Sequence, residues 1–338
     1  MQARPAIWGR YWRAKQELKR LAMLRYFLHD IRHTYRFMFW PWAQREAWAL
    51  SAELLFQYHK LEKGLVMPGT PRLFGLEPAA SVMNLLDRWV RANLPRQDQV
   101  FLGAIETLRC YLARINERQL DPRQVIAPQL AQFLQRFDDV PAQAHLSTPY
   151  QPALPAEVSE DLLGTTFDAL ANVRRSVRDF KPDPVSSDVL AHAVSLAQLS
   201  PSACNRQPCA VILVDDPKKR KQLLDLQNGN KGFGHLAPHI AVITADERGF
   251  FDASERHEPY IDGGLFAMSL ILALRAHGVG SCCLNWCVPP ALDKAAHEVL
   301  GLHPARRIIM LIAVGYPQEN GVVARSPRRS TSDILTHI

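Results

Sequence analysis

The sequence predicts an all-helical N-terminal region followed by a domain that alternates helix and strand, α/β or α+β in class. Three observations predict it. Apolar residues recur at helical spacing through most of the chain as far as Phe137. A proline- and alanine-rich segment, Asp138–Glu157, then interrupts the pattern and reads as a linker. Beyond it lie three short apolar runs, A-V-I-L-V at Ala210–Val214, I-A-V-I-T-A at Ile240–Ala245 and R-I-I-M-L-I-A-V at Arg307–Val314. Such runs have the length and branching of strands buried on both faces. The boundary is placed so that residues 1–150 form the helical extension and residues 151–338 the second domain.

Taken in order, residues 10 to 63 read as helix, broken at Trp40-Pro41-Trp42. Tyr11, Leu18, Leu21, Leu24, Leu28 and Ile31 carry the helical period. Gly64 is predicted to stop this helix, with Lys60 and Lys63 in its last turn; His59, Lys60 and Arg72 could alternatively face an anionic ligand. Helices are expected around Ala80–Asn93, Gln97–Arg118 and Gln124–Phe137. After the linker come an amphipathic helix over Ser159–Val173 and another over Ser187–Ala197, the latter opening after Pro184-Val185-Ser186-Ser187-Asp188 with a serine or aspartate available as a cap. The strand Ala210–Val214 leads to a short helix, Lys218–Leu226, and then to the strand Ile240–Ala245. A long apolar helix over Ile261–His277, a strand over Val279–Trp286, a helix over Ala291–Leu300 and the strand Arg307–Val314 complete the pattern.

The 338 residues, 47% hydrophobic and 22% charged, have the balance of a globular protein. No run of eighteen uncharged apolar residues suggests a spanning helix, and the N-terminus lacks the apolar core of a secretory signal. The six cysteines show no framework spacing, and Cys282 and Cys283 are adjacent, so reduced thiols in a cytoplasmic protein are expected. Pro238 breaks any helix that would pair His235 with His239, and no tetrahedral set emerges, so no metal is expected. The net charge of +7 is concentrated before Glu53. Basic residues mixed with aromatics there could lie on a membrane surface as a peripheral contact, or could be helix packing with a solvated face. No nucleic-acid motif is present.

The chemistry-bearing stretch is Asn172–Phe180, N-V-R-R-S-V-R-D-F, read with Ser200–Pro208, S-P-S-A-C-N-R-Q-P. Arg174, Arg175 and Arg178 surround Ser176, and guanidinium forks plus a hydroxyl suit a phosphate. They could also satisfy the last carbonyls of a helix. Asn205 and Gln207 each both donate and accept, which suits the edge of a planar heterocycle.

Arg174-Arg175-Ser176-Val177-Arg178-Asp179-Phe180 resembles the opening signature of the flavin-dependent nitroreductase family, and Ser200–Pro208 resembles its second. Ala237-Pro238, Gly278-Val279-Gly280-Ser281 and Val314-Gly315-Tyr316-Pro317 follow in the family's order. The resemblance covers about residues 160 to 335. It implies an α+β fold with a mixed central sheet of four or five strands flanked by helices, preceded here by the helical extension. It also implies a homodimer with FMN at the subunit interface and ping-pong hydride transfer from NADH or NADPH to a small, planar acceptor. Carried over, Arg174, Arg175, Ser176 and Arg178 match positions binding the FMN phosphate, ribityl chain and pyrimidine edge. Pro201, Ser202 and Asn205, with Gln207 beside them, match the loop reaching the flavin from the partner subunit. Cys283, Leu284 and Asn285 would line the other flavin face, and Arg325 and Arg328 match basic tail residues closing on the phosphate.

No side-chain catalyst is implied, since the flavin carries the chemistry; Asn285 and Trp286 are candidates for the neighbourhood of its N5. Many relatives have Glu-Gly at these two positions, and Trp286 could fill part of the acceptor pocket. Asn228, Asn230, Lys231, Arg256, His257 and Tyr260 are candidates for substrate contact. A flavin-binding protein without turnover, a regulatory or membrane-peripheral partner, is the reading from another class.

Overall fold

The structure of the protein, a computed structural model, describes residues 4–38, 47–67, 72–122, 124–149, 155, 157–326, 328 and 330–338. The expected break at Trp40–Trp42 lies outside the described residues. The N-terminal region consists of α1 (Arg4–Phe37), α2 (Ala47–Val66), α3 (Leu76–Arg91), α4 (Gln99–Glu117) and α5 (Ala127–Gln135). Helices α2 to α5 share one core around Leu54, Leu61, Leu86, Phe101, Ile105 and Leu108. Asp98 caps α4 through the Val100 amide, and Asp121 accepts from the amides of Val125, Ile126 and Ala127 to open α5.

Gly64 does not end a helix; α2 runs past it to Val66. A Cβ on Gly64 would lie 2.2 Å from the Phe74 ring. The glycine is there because an aromatic ring packs against the helix backbone, a reason that local stop-signal reasoning cannot see. Of the residues in the anion-site alternative, Arg72 is exposed, and His59 and Lys60 engage neighbours on their own helix. His59 pairs with Glu62 at 3.0 Å, and Lys60 donates to Gln57 and lies 4.0 Å from the centre of the Phe56 ring.

The second domain contains α6 (Glu160–Val173), α7 (Ser187–Ala197), β1 (Cys209–Val214), α8 (Pro217–Leu226), β2 (His239–Asp246), α9 (Glu258–Ala276), β3 (Gly280–Asn285), α10 (Pro290–Leu300) and β4 (Arg306–Gly315). Ser159 and Ser186 cap α6 and α7 by accepting the amides of Leu162 and Val189. The strands form one sheet in the order β1-β2-β4-β3, and every pair is antiparallel. The parallel element of the expected mixed sheet is confined to an isolated bridge between Ser176 and Ser281.

Every residue of β2 is buried, so its alternation serves two cores. Ile240 and Val242 pack with α8 and α10 through Leu223, Leu224 and Ala296. Ala241 and Ile243 pack with α7 and α9 through Ala193, Phe266, Leu270 and Leu274. Helix α9 is long and apolar enough to cross a membrane by composition, yet half of that window is buried here as a central helix of the domain. It begins at Glu258, three residues before the Ile261 that the sequence predicts, and Gly278 (φ 76°) takes the left-handed turn that feeds β3.

Candidate functional site

The arginine segment leaves α6 and runs along the outer edge of β3. Val177 donates to the Ser281 carbonyl at 3.0 Å, and on its other side Lys181 donates to the Tyr316 carbonyl at 2.8 Å. Val177 is pressed against Gly280, where a Cβ would meet it at 2.9 Å. The three arginines then part company. Arg175 bends back to the carbonyls of Ala171 and Arg174, the helix-end role. Arg178 lies 5.6 Å over the Phe233 ring, and neither it nor Arg174 forms an ion pair with an acidic residue among the described residues. The Ser176 hydroxyl reaches the Cys282 thiol. Desolvation holds the Cys283 thiol above its ordinary value, although neighbouring Arg174 pulls the other way.

Along β3 the side chains of Cys282 and Leu284 are buried, while those of Cys283 and Asn285 are exposed. Because the Ser281 carbonyl points away from β4, the alternation of an antiparallel ladder turns the amides of Cys283 and Asn285 to the same open edge. Two unpaired guanidinium forks beside a row of free backbone donors make this edge suited to a ligand with an anionic end and a planar polar end.

Asn285 is also a fixed point. Its carbonyl and side-chain oxygen accept from the Gln227 amide at 2.9 and 3.1 Å. Buried Gln227 in turn accepts from Gly229 and Asn230. Asn230 therefore has a structural use, donating to the Leu224 and Gln227 carbonyls. Trp286 donates to Asp293 at 2.7 Å and packs partly buried beside the α8/α10 core, which ties its ring to the fold. Arg256 donates to Ala253, His257 stands at the start of α9, and Lys231 and Tyr260 are exposed.

The second loop is built differently. Cys204, Asn205 and Gln207 all have φ between 51° and 53°, a left-handed conformation costly for residues with a Cβ. Fixed interactions hold it. Ser202 accepts the Gln207 amide at 3.0 Å, and both oxygens of Asp262 lie near the Ala203 amide at 3.1 and 3.2 Å. Arg206, 1% exposed, forms a two-pronged ion pair with Glu255 and donates to the Ala203 carbonyl. Phe56 of α2 and Phe250 and Phe251 surround its guanidinium at 4.9 to 5.5 Å. Burial raises Asp262 to about 6. A cavity of about 260 Å³ lies behind the loop, walled by Trp48 and Leu55 of α2 and by Asp262 and Phe266 of α9.

Arg206, Glu255 and Asp262 were not singled out from the sequence. The only local signal was an arginine inside a turn-rich loop; its partner stands 49 residues away.

The structure does not bring the two segments together within one chain. Cys209, which follows the loop, is level with Ala245 and Arg307; Ser281, beside the arginines, is level with Val314. They occupy diagonally opposite corners of the sheet, roughly 14 Å apart across three strand spacings and about 24 Å along β4. Arg325 and Arg328 lie exposed in the C-terminal segment, where Arg328 donates to the Ser326 carbonyl.

Comparison with known proteins assigns this architecture. Residues 171–316 match the model of the Nitroreductase family. A 4-nitrobenzoate reductase of Pseudomonas putida is 26% identical over 218 residues, covering 49% of this chain and 93% of that protein. An NADH dehydrogenase of Thermus thermophilus is 27% identical over 181 residues, covering 44% and 85%. A solved nitroreductase family protein of Streptococcus pneumoniae, 24% identical, covers 51% of this chain and all of that one with a TM-score of 0.44.

Residues 171–316 form a nitroreductase-family domain, and the N-terminal helical region is additional to it. Relatives of that domain are named as a reductase and a dehydrogenase.

Proposed function

We propose that the chain works as a homodimer holding FMN at the subunit interface, taking hydride from NADH or NADPH and passing it to a small, planar acceptor. The observation that carries this reading is the diagonal placement of the two signature segments. Each is built for contact, and a complete site requires the β3 edge of one copy and the loop of another. The outer faces of α6 and α9 support such pairing. No residue of α6 is buried, and Leu162, Leu163 and Phe167 are exposed beside Ile261, Leu265 and Met268 of α9.

The residues present fit the cofactor. Arg174 and Arg178 carry positive charge with no acidic partner among the described residues and would bind the phosphate, with Ser176 between them. The amides of Cys283 and Asn285 would orient the heterocycle, Leu284 anchoring the strand behind them. Flavin, when bound, supplies reversible hydride transfer. Asn285, locked by Gln227, keeps its part of the strand in register with that plane. Pro201, Ser202, Asn205 and Gln207 of a second copy would close the opposite wall and exclude water, with Arg325 and Arg328 adding charge at the phosphate end. The planar acceptor is supported by relatives named for 4-nitrobenzoate and iodotyrosine, both built on flat rings. Free cysteines throughout support a cytoplasmic setting.

The test is anaerobic. The purified chain, reconstituted with FMN, is expected to turn yellow and to bleach within turnover times on addition of NADH or NADPH. Bound flavin that stays oxidised would favour the non-turnover reading, and protein that refuses FMN would remove both.

A further inference from the structure

The nitroreductase reading leaves α1 unused. This helix carries nine lysines and arginines against two acidic residues, which by itself equals the formal net charge of +7 for the whole chain. Its C-terminal half is docked. Asp30 and His33 meet Arg307 and the buried Glu247, His33 also reaches the Pro304 carbonyl, and Phe37 packs on His303.

The opposite side is apolar and open. Leu21, Leu24, Leu28 and Ile31 recur three and four residues apart, and each is 52 to 64% exposed. Phe27 and Leu18 extend the stripe at 65% and 67%. Arg25 and Arg32, both exposed, run along one margin, four residues after Leu21 and Leu28.

An outward apolar stripe with basic margins is the pattern of a helix lying in a membrane interface. Leucine and phenylalanine side chains enter the acyl boundary while arginine stems lie along it and keep their heads among the phosphates. Leu21, Leu24 and Ile31 stay exposed beside this docked face, while Leu28, Arg25 and Arg32 also line the open cleft between α1 and Pro290 and Lys294 of α10. Other occupants fit less well. A second α1 would set Arg25 and Arg32 beside their own copies, a like-charge seam. A nucleic acid would neutralise the arginines and leave the leucines in water.

We infer that α1 binds the chain peripherally to an anionic lipid surface, its Leu21–Ile31 stripe inserted and its arginines on the headgroups. The inference is independent of the flavin chemistry, because its readout is the position of the protein.

The experiment sediments the full chain with vesicles of phosphatidylcholine alone and of phosphatidylcholine with phosphatidylserine. Binding is expected on the anionic vesicles, falling with added salt. Leu24→Glu with Ile31→Glu is expected to weaken it roughly tenfold or more, and Arg25→Glu with Arg32→Glu to do likewise. All four positions are exposed, so the thermal transition and circular dichroism should match the parent chain. Three results would overturn the inference: no sedimentation with anionic vesicles, equal sedimentation with neutral ones, or unchanged binding by both double variants. A smaller oligomer for Leu24→Glu/Ile31→Glu in the absence of lipid binding would assign the stripe to self-association instead.

Discussion

The two edges of the sheet have been prepared in opposite ways. At the β1 edge the Ser200–Pro208 loop is clamped: Arg206 is spent on Glu255 and three phenylalanine rings, and Asp262 holds the Ala203 amide. At the β3 edge Arg174 and Arg178 are left without acidic partners, and two strand amides face outward. A strained loop that must project into a neighbour has to be rigid before the neighbour arrives. A ligand-binding edge must keep its charges uncommitted. The contrast teaches that binding capacity and stability are kept in separate arginines, and substitutions should separate them.

The largest effect is expected at the open edge. Charge-assisted hydrogen bonds are worth about 1.5–3 kcal/mol each. Arg174→Ala with Arg178→Ala should therefore weaken FMN binding by roughly 3–6 kcal/mol, read by fluorescence titration of released flavin. Stability against urea should change by about 1 kcal/mol or less, because neither guanidinium forms an ion pair among the described residues and Arg178 loses only its contact over Phe233. Unchanged affinity would end the phosphate assignment.

The clamped edge should behave in reverse. Glu255→Gln leaves a buried guanidinium without its counter-charge, a loss of about 3–5 kcal/mol, measured by chemical denaturation. Arg206→Met combined with Glu255→Met should restore much of that loss, since an apolar pair avoids burying a lone charge. A stability change below about 1 kcal/mol in Glu255→Gln would show that the pair is not the clamp.

These residues mark the limit of what could be read in the chain. The cap of α7 was legible because Ser186 acts on an amide three residues away. Strand positions were legible because a fully buried strand such as β2 must be continuously apolar. The arginine segment was legible as a motif, and it lies beside β3. The clamp was not legible, since Arg206 and Glu255 meet only through tertiary folding. Nor was the packing role of Gly64, whose reason is a ring ten residues later. The placement of the two signatures at opposite corners follows from strand order, which no local pattern encodes.

Asp262 offers a smaller test of the clamp, through pH. Burial raises its carboxyl from an ordinary 3.8 to about 6, so the folded chain binds a proton that the unfolded chain releases. Stability from this group is therefore present below pH 3.8 and is lost as pH rises through about 6. Asp262→Asn keeps an acceptor for the Ala203 amide without the buried charge. Relative to the parent chain, its thermal midpoint should gain between pH 4 and 6 and then level off, a difference on the order of 2 kcal/mol. A difference independent of pH would mean that the carboxylate is solvated or otherwise compensated.

The smallest effect tests whether the loop is strained at all. Cys204 has a φ of 52° with a Cβ in place, and the conformation costs roughly 1–2 kcal/mol for such a residue. Glycine removes that cost but frees the unfolded chain by about 0.5–1 kcal/mol. Cys204→Gly should therefore leave the chain equally stable or up to about 1 kcal/mol more stable. Cys204→Val should be destabilising by more than that, because a branched Cβ tolerates the left-handed region least. If the strain serves to aim Asn205 at a second copy, Cys204→Gly should also raise the dimer dissociation constant, measurable by sedimentation equilibrium. A stabilised monomer with a weakened dimer would place the cost of the loop in assembly; a loss of stability in the glycine variant would show that the thiol's own packing outweighs its backbone.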